Sequence, residues 1–125
     1  MRREDGFTII SVLVAIMMLS LGILALSHAG VQAMAAQTLA GNRTTALAIG
    51  RAYMEAVRSR PPAQVQSEPP VRVDETGTAS PNGVFTRSVA VTNVRHNLKQ
   101  VLVIVEYPRF KVPIELVTLA YVGNF

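Results

Sequence analysis

"GFTIISVLVA", residues 6–15, sets a glycine behind Arg2, Arg3, Glu4 and Asp5 and in front of a long apolar run. Between Asp5 and Arg43 there is no Asp, Glu, Lys or Arg, and His28 is the one titratable side chain in that interval. Residues 7–27 alone meet the roughly 20 positions a helix needs to cross a hydrocarbon core, so the segment is predicted to span a membrane. Arg2 and Arg3 precede it and no further basic residue appears until Arg43. Because orientation follows Lys and Arg rather than net charge, the N-terminus is expected in the cytoplasm, with everything after about residue 30 on the far side. A cleaved secretory signal is the rival, since Ser27-His28-Ala29 has the small-x-small shape of a cleavage site. Its apolar core is usually only about 7–15 residues long, however, and this run is longer and grades into more helical sequence.

The chain has 125 residues, room for one small domain beside that segment and none for a large catalytic cleft. Only 16% of the residues are charged, against about a quarter in ordinary soluble domains. There is no cysteine, so neither a disulfide framework nor a thiolate metal site is available, and an extracytoplasmic domain must hold by packing alone. The net charge of +4 comes from scattered residues, Arg43, Arg51, Arg58, Arg60, Arg72, Arg87, Arg95, Lys99, Arg109 and Lys111 among them. With no basic run, a solvated surface is the expectation and nucleic acid is not expected as a partner.

From Thr8 to Ser59 there is no proline. Val31, Ala35, Leu39, Ala46, Ile49, Tyr53 and Val57 recur at helical spacing, with Gln32, Gln37, Asn42, Arg43, Arg51, Glu55 and Arg58 largely off their stripe. The membrane helix is therefore predicted to continue as an amphipathic one, with Arg51 and Arg58 flanking Glu55 in weak same-face pairs. Pro61-Pro62 ends it, because proline has no N–H and disfavours helix at the residue before it. At 1.5 Å per residue such a helix runs roughly 75 Å, more than twice the bilayer core. Gly22, Ser20 and Ala25 suit either close helix contact or plain tolerance in lipid, and Gly30 and Gly41 flank a stretch where a bend is plausible.

Residues 61–83 hold five prolines and few large apolar side chains and are expected to form a long surface connection closed by the Ser80-Pro81-Asn82-Gly83 turn. Strands are predicted over 84–92, 99–107 and 113–122. Phe85, Val89 and Val91 share one face of the first, and Val101, Val103, Val105 and Tyr107 one face of the second. Leu102 and Ile104 make the second apolar on its other side as well, as befits a central strand. In the third, Val117, Leu119 and Tyr121 align, and Glu115 breaks the pattern. A sheet with one face to bury and a helix with one apolar stripe are each other's simplest partner. The expected class is α+β: a long N-terminal helix, membrane-spanning then amphipathic, on a small antiparallel sheet of three to four strands.

With those elements placed, the opening resembles a type IV prepilin or pseudopilin. The residues that carry the likeness are Gly6-Phe7-Thr8-Ile9-Ile10 and Val12-Leu13-Val14-Ala15 behind a short charged leader. More loosely, residues 46–57 and the closing hairpin are similar to PilV-type minor pilins and to I-type minor pseudopilins of type II secretion. The resemblance implies a pilin-like fold, cleavage by prepilin peptidase after Gly6, and N-methylation of Phe7. It divides the chain into a leader (1–6), a transmembrane and assembly half-helix (7–33), an amphipathic half-helix (34–60), the connection (61–83) and a β-meander (84–125) that forms a head with 34–60. Ser11 departs from it, since relatives usually carry a glutamate there that is thought to meet the N-terminal amine of a neighbouring subunit. A hydroxyl cannot supply that charge, although it accepts a hydrogen bond or bonds back to its own helix. Its presence also removes the cost of a carboxylate in lipid. Two readings stay open: a tip or initiating subunit with no neighbour ahead of it, or weakened incorporation.

Enzymatic chemistry is not expected. His28 and His96 are far apart, no Asp/Glu/His cluster has metal-ligand spacing, and there is no phosphate loop or nucleophile beside a base. Glu68, Asp74 and Glu75 fall in the connection, where solvated charge is the default, and Asp74-Glu75-Thr76-Gly77 offers calcium too few ligands for more than weak binding. No cofactor and no metal are expected. The expected role is a structural subunit of a type IV pilus or type II secretion-like filament in the bacterial inner membrane, whose partners are prepilin peptidase and other pilins. The alternatives are a pilus-associated adhesin or DNA-uptake subunit using arginines such as Arg72, Arg87 and Arg109, and a single-pass anchored protein that never polymerises.

Overall fold

In the computed structural model the described residues are 4–109 and 112–123, with side chains described from Thr8 onward. Met1, Arg2, Arg3 and Lys111 lie outside the described residues. Among the described residues, one helix, α1 (Glu4–Arg58), is followed by a 3-10 turn (Pro62–Gln64) and four strands, β1 (Glu68–Val73), β2 (Phe85–Arg95), β3 (Leu98–Glu106) and β4 (Ile114–Tyr121). All neighbours are antiparallel, in the order β1-β2-β3-β4. The class is α+β, and the chain divides into two units, residues 1–38 and residues 39–125.

In the first unit every residue from Thr8 to Thr38 is exposed. In the second, the stripe of α1 changes character at Leu39, the first partly buried position, and Ala46, Ile49, Met54 and Val57 are buried. Val31 and Ala35, expected on the same stripe, belong to the first unit and are exposed. The helix stops where its hydrogen bonds tighten: Ser59 N–H still reaches the Glu55 carbonyl, Arg60 N–H reaches the Val57 carbonyl at 3.1 Å, and Pro61-Pro62 supplies no further donor. Of the two weak same-face pairs expected, Arg58 to Glu55 is present at 3.5 Å between exposed side chains, a geometry that contributes little.

The four helix residues form one core with Val65, Val73, Phe85, Val89, Val101, Val103, Val105 and Tyr107. Burying a Val or Phe side chain is worth about 1.5–3 kcal/mol each, and with no disulfide this cluster is what holds the second unit together. The strands come close at Gly50, where a Cβ would lie 2.7 Å from Leu116 Cδ1 and 3.4 Å from Val105 Cγ2, so the Leu116 side chain would have to shift. Gly83 is more constrained, because its Cβ would lie 2.3 Å from the Val73 carbonyl oxygen, a backbone atom that has nowhere to move.

Two expectations are corrected. The 61–83 stretch is not a bare connection, because β1 within it pairs with β2 from Glu68↔Val89 to Val73↔Phe85. Pro69 and Pro70 hide the strand from a sequence reading; they are tolerated because β1 is an edge strand whose register shifts between Glu68 and Val71. The second correction concerns β4. Its core-directed residues are Ile114, Leu116, Thr118 and Ala120, placed beside Val105, Val103 and Val101 by the β3 register. Val117, Leu119 and Tyr121 share a face as expected, but it is the outer one, where they are 59%, 60% and 58% exposed. Glu115 has their parity, so it does not interrupt an inward face; it marks the outward one. The expected faces of the first two strands hold, with Phe85 and Val89 buried and Val101, Val103, Val105 and Tyr107 buried.

This assignment separates two otherwise similar leucines of β4. Leu116→Ala is expected to lower stability by about 2 kcal/mol, the low end for a core leucine because it is only partly buried. Leu119→Ala is expected to stay within about 0.5 kcal/mol of the parent. Denaturant unfolding of the full chain in detergent micelles measures both, and equal losses would refute the stated face.

Candidate assembly surface

The large apolar side chains of α1 between Ile9 and Met34 are 46–75% exposed, on every side of the helix. A helix apolar all round is stable in water only if it is covered, and in hydrocarbon it needs no cover. Thr8–Arg58 contains the one described stretch long and apolar enough to cross a membrane. Its hydroxyls are mostly turned inward on the helix itself: Ser20 Oγ donates to the Ile16 carbonyl and Ser27 Oγ to the Ile23 carbonyl, both at 2.8 Å. Further along, Thr38 Oγ1 donates to the Met34 carbonyl and Thr44 Oγ1 to the Ala40 carbonyl. His28 and Gln32 share a side-chain hydrogen bond at 3.1 Å, which satisfies two polar ends on one helix face.

The residues singled out by the prepilin resemblance lie at the start of this surface. Gly6 and Phe7 fall in the helical backbone, and the surroundings of both lie outside what is described. Ser11 is exposed and, among the described residues, no hydrogen bond is recorded for its hydroxyl, in contrast to Ser20 and Ser27. A Cβ at Gly22, Gly30 or Gly41 would meet nothing within 4 Å, so nothing in the isolated chain requires those glycines.

The second unit carries a polar cluster that sequence reasoning missed. Glu68, expected as a solvated acid, begins β1 and accepts hydrogen bonds from the Tyr53 hydroxyl and from Arg60 Nη1, the latter at 2.8 Å. Arg87, on the helix-facing side of β2, stacks with its Cζ 3.7 Å from the Tyr53 ring centroid and donates to the Gly77 carbonyl at 3.0 Å. The signal was present in Tyr53: a tyrosine on a buried stripe needs a partner for its hydroxyl. These four side chains tie the end of α1 to β1, β2 and the loop between them. Burial pushes the Tyr53 phenol upward, the neighbouring Glu68 carboxylate adds to that, and Arg60 opposes it. For Glu68, burial acts upward, but the hydrogen bonds from Tyr53 and Arg60 and the charges of Arg60 and Arg87 outweigh it and hold the carboxyl below its ordinary range.

Asp74 spends its carboxylate on its own turn. Its Oδ1 accepts from Thr76 Oγ1 at 2.6 Å, Thr76 N–H at 2.9 Å and Thr78 N–H at 3.0 Å, and these bonds, Thr76 foremost, keep it low in pKa. Among the described residues no three His, Asp or Glu side chains stand close enough to hold a metal ion. Of the arginines considered for DNA, Arg87 is engaged by Tyr53 and Gly77, while Arg72 and Arg109 are exposed.

The chain matches no family model, no curated protein and no solved structure.

The cluster makes stability pH-dependent at both ends. Glu68 titrates lower folded than unfolded, so its contribution is complete above the unfolded value, about 4.3, and is lost as pH falls through the folded one. Tyr53 titrates higher folded than unfolded, so its contribution is present below about pH 10 and is lost as pH rises through the folded value. Thermal unfolding of the full chain in micelles across pH should show Glu68→Gln flattening the acid limb. Tyr53→Phe should flatten the alkaline limb and cost about 1 kcal/mol at neutral pH; limbs unchanged in both variants would remove the cluster from the account.

Proposed function

We propose that the protein is a minor pilin or pseudopilin, a pilin-like structural subunit of a type IV pilus or type II secretion-like filament. The observation that carries this reading is the all-round exposure of the apolar half of α1, in a helix that opens on Gly6-Phe7-Thr8-Ile9-Ile10. In the proposed cycle the chain inserts once into the inner membrane with its N-terminus in the cytoplasm and residues 39–125 outside. Prepilin peptidase cuts after Gly6, and Phe7 becomes the methylated first residue. A cut on the cytoplasmic side leaves the apolar helix in place, unlike signal-peptide cleavage, so the trimmed chain stays anchored.

Assembly then exchanges one apolar surrounding for another. A helix whose side chains are lipid-facing before extraction becomes packed among other subunits' helices afterwards, and little apolar surface need meet water in either state. What distinguishes the two states is packing, and the open surfaces at Gly22 and Gly30 are where a neighbouring helix approaches most closely. Ser11 sits at the exposed start of the same surface with its hydroxyl free to take a partner. A subunit lacking the glutamate usual there suits a tip or initiating position, where no amine ahead has to be met. Of the arginines weighed for the adhesin or DNA-uptake reading, Arg87 is held inside the polar cluster, while Arg72 and Arg109 are exposed.

Intact-mass and N-terminal peptide analysis of the protein from its native membrane tests the proposal. A mature chain beginning with methylated Phe7 is expected; intact Met1, or a start at Gly30, would overturn it and leave a plain anchored or secreted protein. Ser11→Glu tests the tip placement. If Ser11 marks the tip, restoring the carboxylate should raise the copies recovered per sheared filament severalfold, and an unchanged number removes the basis of that placement.

A further inference from the structure

Where the last turn of α1, the segment that follows it and the final residues of β4 converge, the second unit holds a cavity of about 240 Å³, open on one side. Val57, Val65, Val101 and Ala120 line it, the three valines almost fully buried. Arg58 and Arg60 line it as well, and among its described lining residues there is no acid. The two guanidiniums differ. Arg60 is committed to Glu68 at 2.8 Å, whereas Arg58 has the 3.5 Å contact with exposed Glu55 and is itself 61% exposed, so its charge stays open to a better partner. Thr118, half-buried on the helix-facing side of β4, also borders the cavity, and its hydroxyl has no hydrogen-bond partner among the described residues.

We propose that this cavity binds a small organic acid, its apolar body against the valines and its carboxylate on the Arg58 guanidinium. The chemistry of the lining selects that class. A plain hydrocarbon would leave the guanidinium unused, and an inorganic anion would leave the valine floor wet, whereas a carboxylate at the solvent end of an apolar body satisfies both. A guanidinium offers two parallel N–H groups in the geometry that a carboxylate accepts, and the Thr118 hydroxyl is a further donor. Volume sets the size of the body. An enclosed apolar cavity of about 150 Å³ takes up benzene, and this one is roughly half as large again, which suits a body of about nine carbon atoms. The site is built from the second unit alone and does not depend on the chain's assembling into a filament.

The test titrates the full chain, in micelles of an uncharged detergent and with isotope-labelled valine methyl groups, with 3-phenylpropionate. Saturable shifts are expected at Val57, Val65 and Val101, with half-saturation at roughly millimolar acid. Two controls remove the charge from one side each. 3-Phenylpropanamide on the parent chain, and the acid on the Arg58→Gln chain, are each expected to bind at least about tenfold more weakly. The amide enters micelles at least as readily as the acid, so it also separates uptake by the detergent from uptake by the site. Arg95→Gln, which removes a guanidinium lining a different cavity, should bind the acid as the parent does. N-Acetyl-alanyl-phenylalanine carries the same carboxylate at the end of a peptide and is expected to bind no more tightly than the free acid. Absence of saturation at tens of millimolar acid, equal binding of the amide, or unchanged binding to the Arg58→Gln chain would overturn the proposal. Tighter binding of the peptide would overturn it in favour of a polypeptide C-terminus as the ligand.

Discussion

One helix has to satisfy two surroundings, and the rest of the structure follows from where it changes between them. Up to Thr38 the side chains of α1 are exposed on all sides; from Leu39 one stripe is buried against strands while Arg43, Arg51, Glu55 and Arg58 stay in solvent. The same backbone continues through both regimes because helical hydrogen bonds are internal and do not depend on the surroundings. Only the side chains register the change. The apolar half carries no charge that would have to be desolvated, and the amphipathic half carries its charges off the stripe.

The sheet is built to complete that stripe. The fully buried part of its inner face is mostly valine, Val73, Val89, Val101, Val103 and Val105 around Phe85, stiff or bulky side chains that fill a flat interface with little loss of rotamer freedom. At the end of α1 the apolar contact gives way to Tyr53, Arg60, Glu68 and Arg87, where each charge faces an opposite charge, a hydroxyl or a ring. This cluster fastens the otherwise irregular 59–67 segment to the sheet. It also explains how a strand that begins Glu-Pro-Pro stays in place: Glu68 is anchored by Tyr53 of α1 and by Arg60 just past its end, and Ser67 Oγ accepts from the Val91 N–H at 2.9 Å.

The outer face and the β4 edge have the opposite character. Val117, Leu119 and Tyr121 stand exposed there beside Glu115 on a strand of unbroken register, whereas the β1 edge is capped by proline. A small domain that protects one edge and leaves the other open has a directional surface.

Much of this was legible in the residues alone. The uncharged run to Arg43, the absence of proline to Pro61 and the helical spacing of Ala46, Ile49, Tyr53 and Val57 determined a long helix with two regimes, because periodicity and charge are local properties of a chain. The central strand, apolar on both faces, was legible for the same reason. Tertiary structure alone decided three things. β1 was concealed because proline is excluded from strand interiors but allowed at an edge, and being an edge is a fact about neighbours. The face of β4 was undetermined because both of its faces are apolar, so its register against Val101, Val103 and Val105 had to choose, and a one-residue difference exchanges the two. Glu68 passed for a solvated acid because its partners lie 8 and 15 residues away in sequence, at separations that no local pattern records.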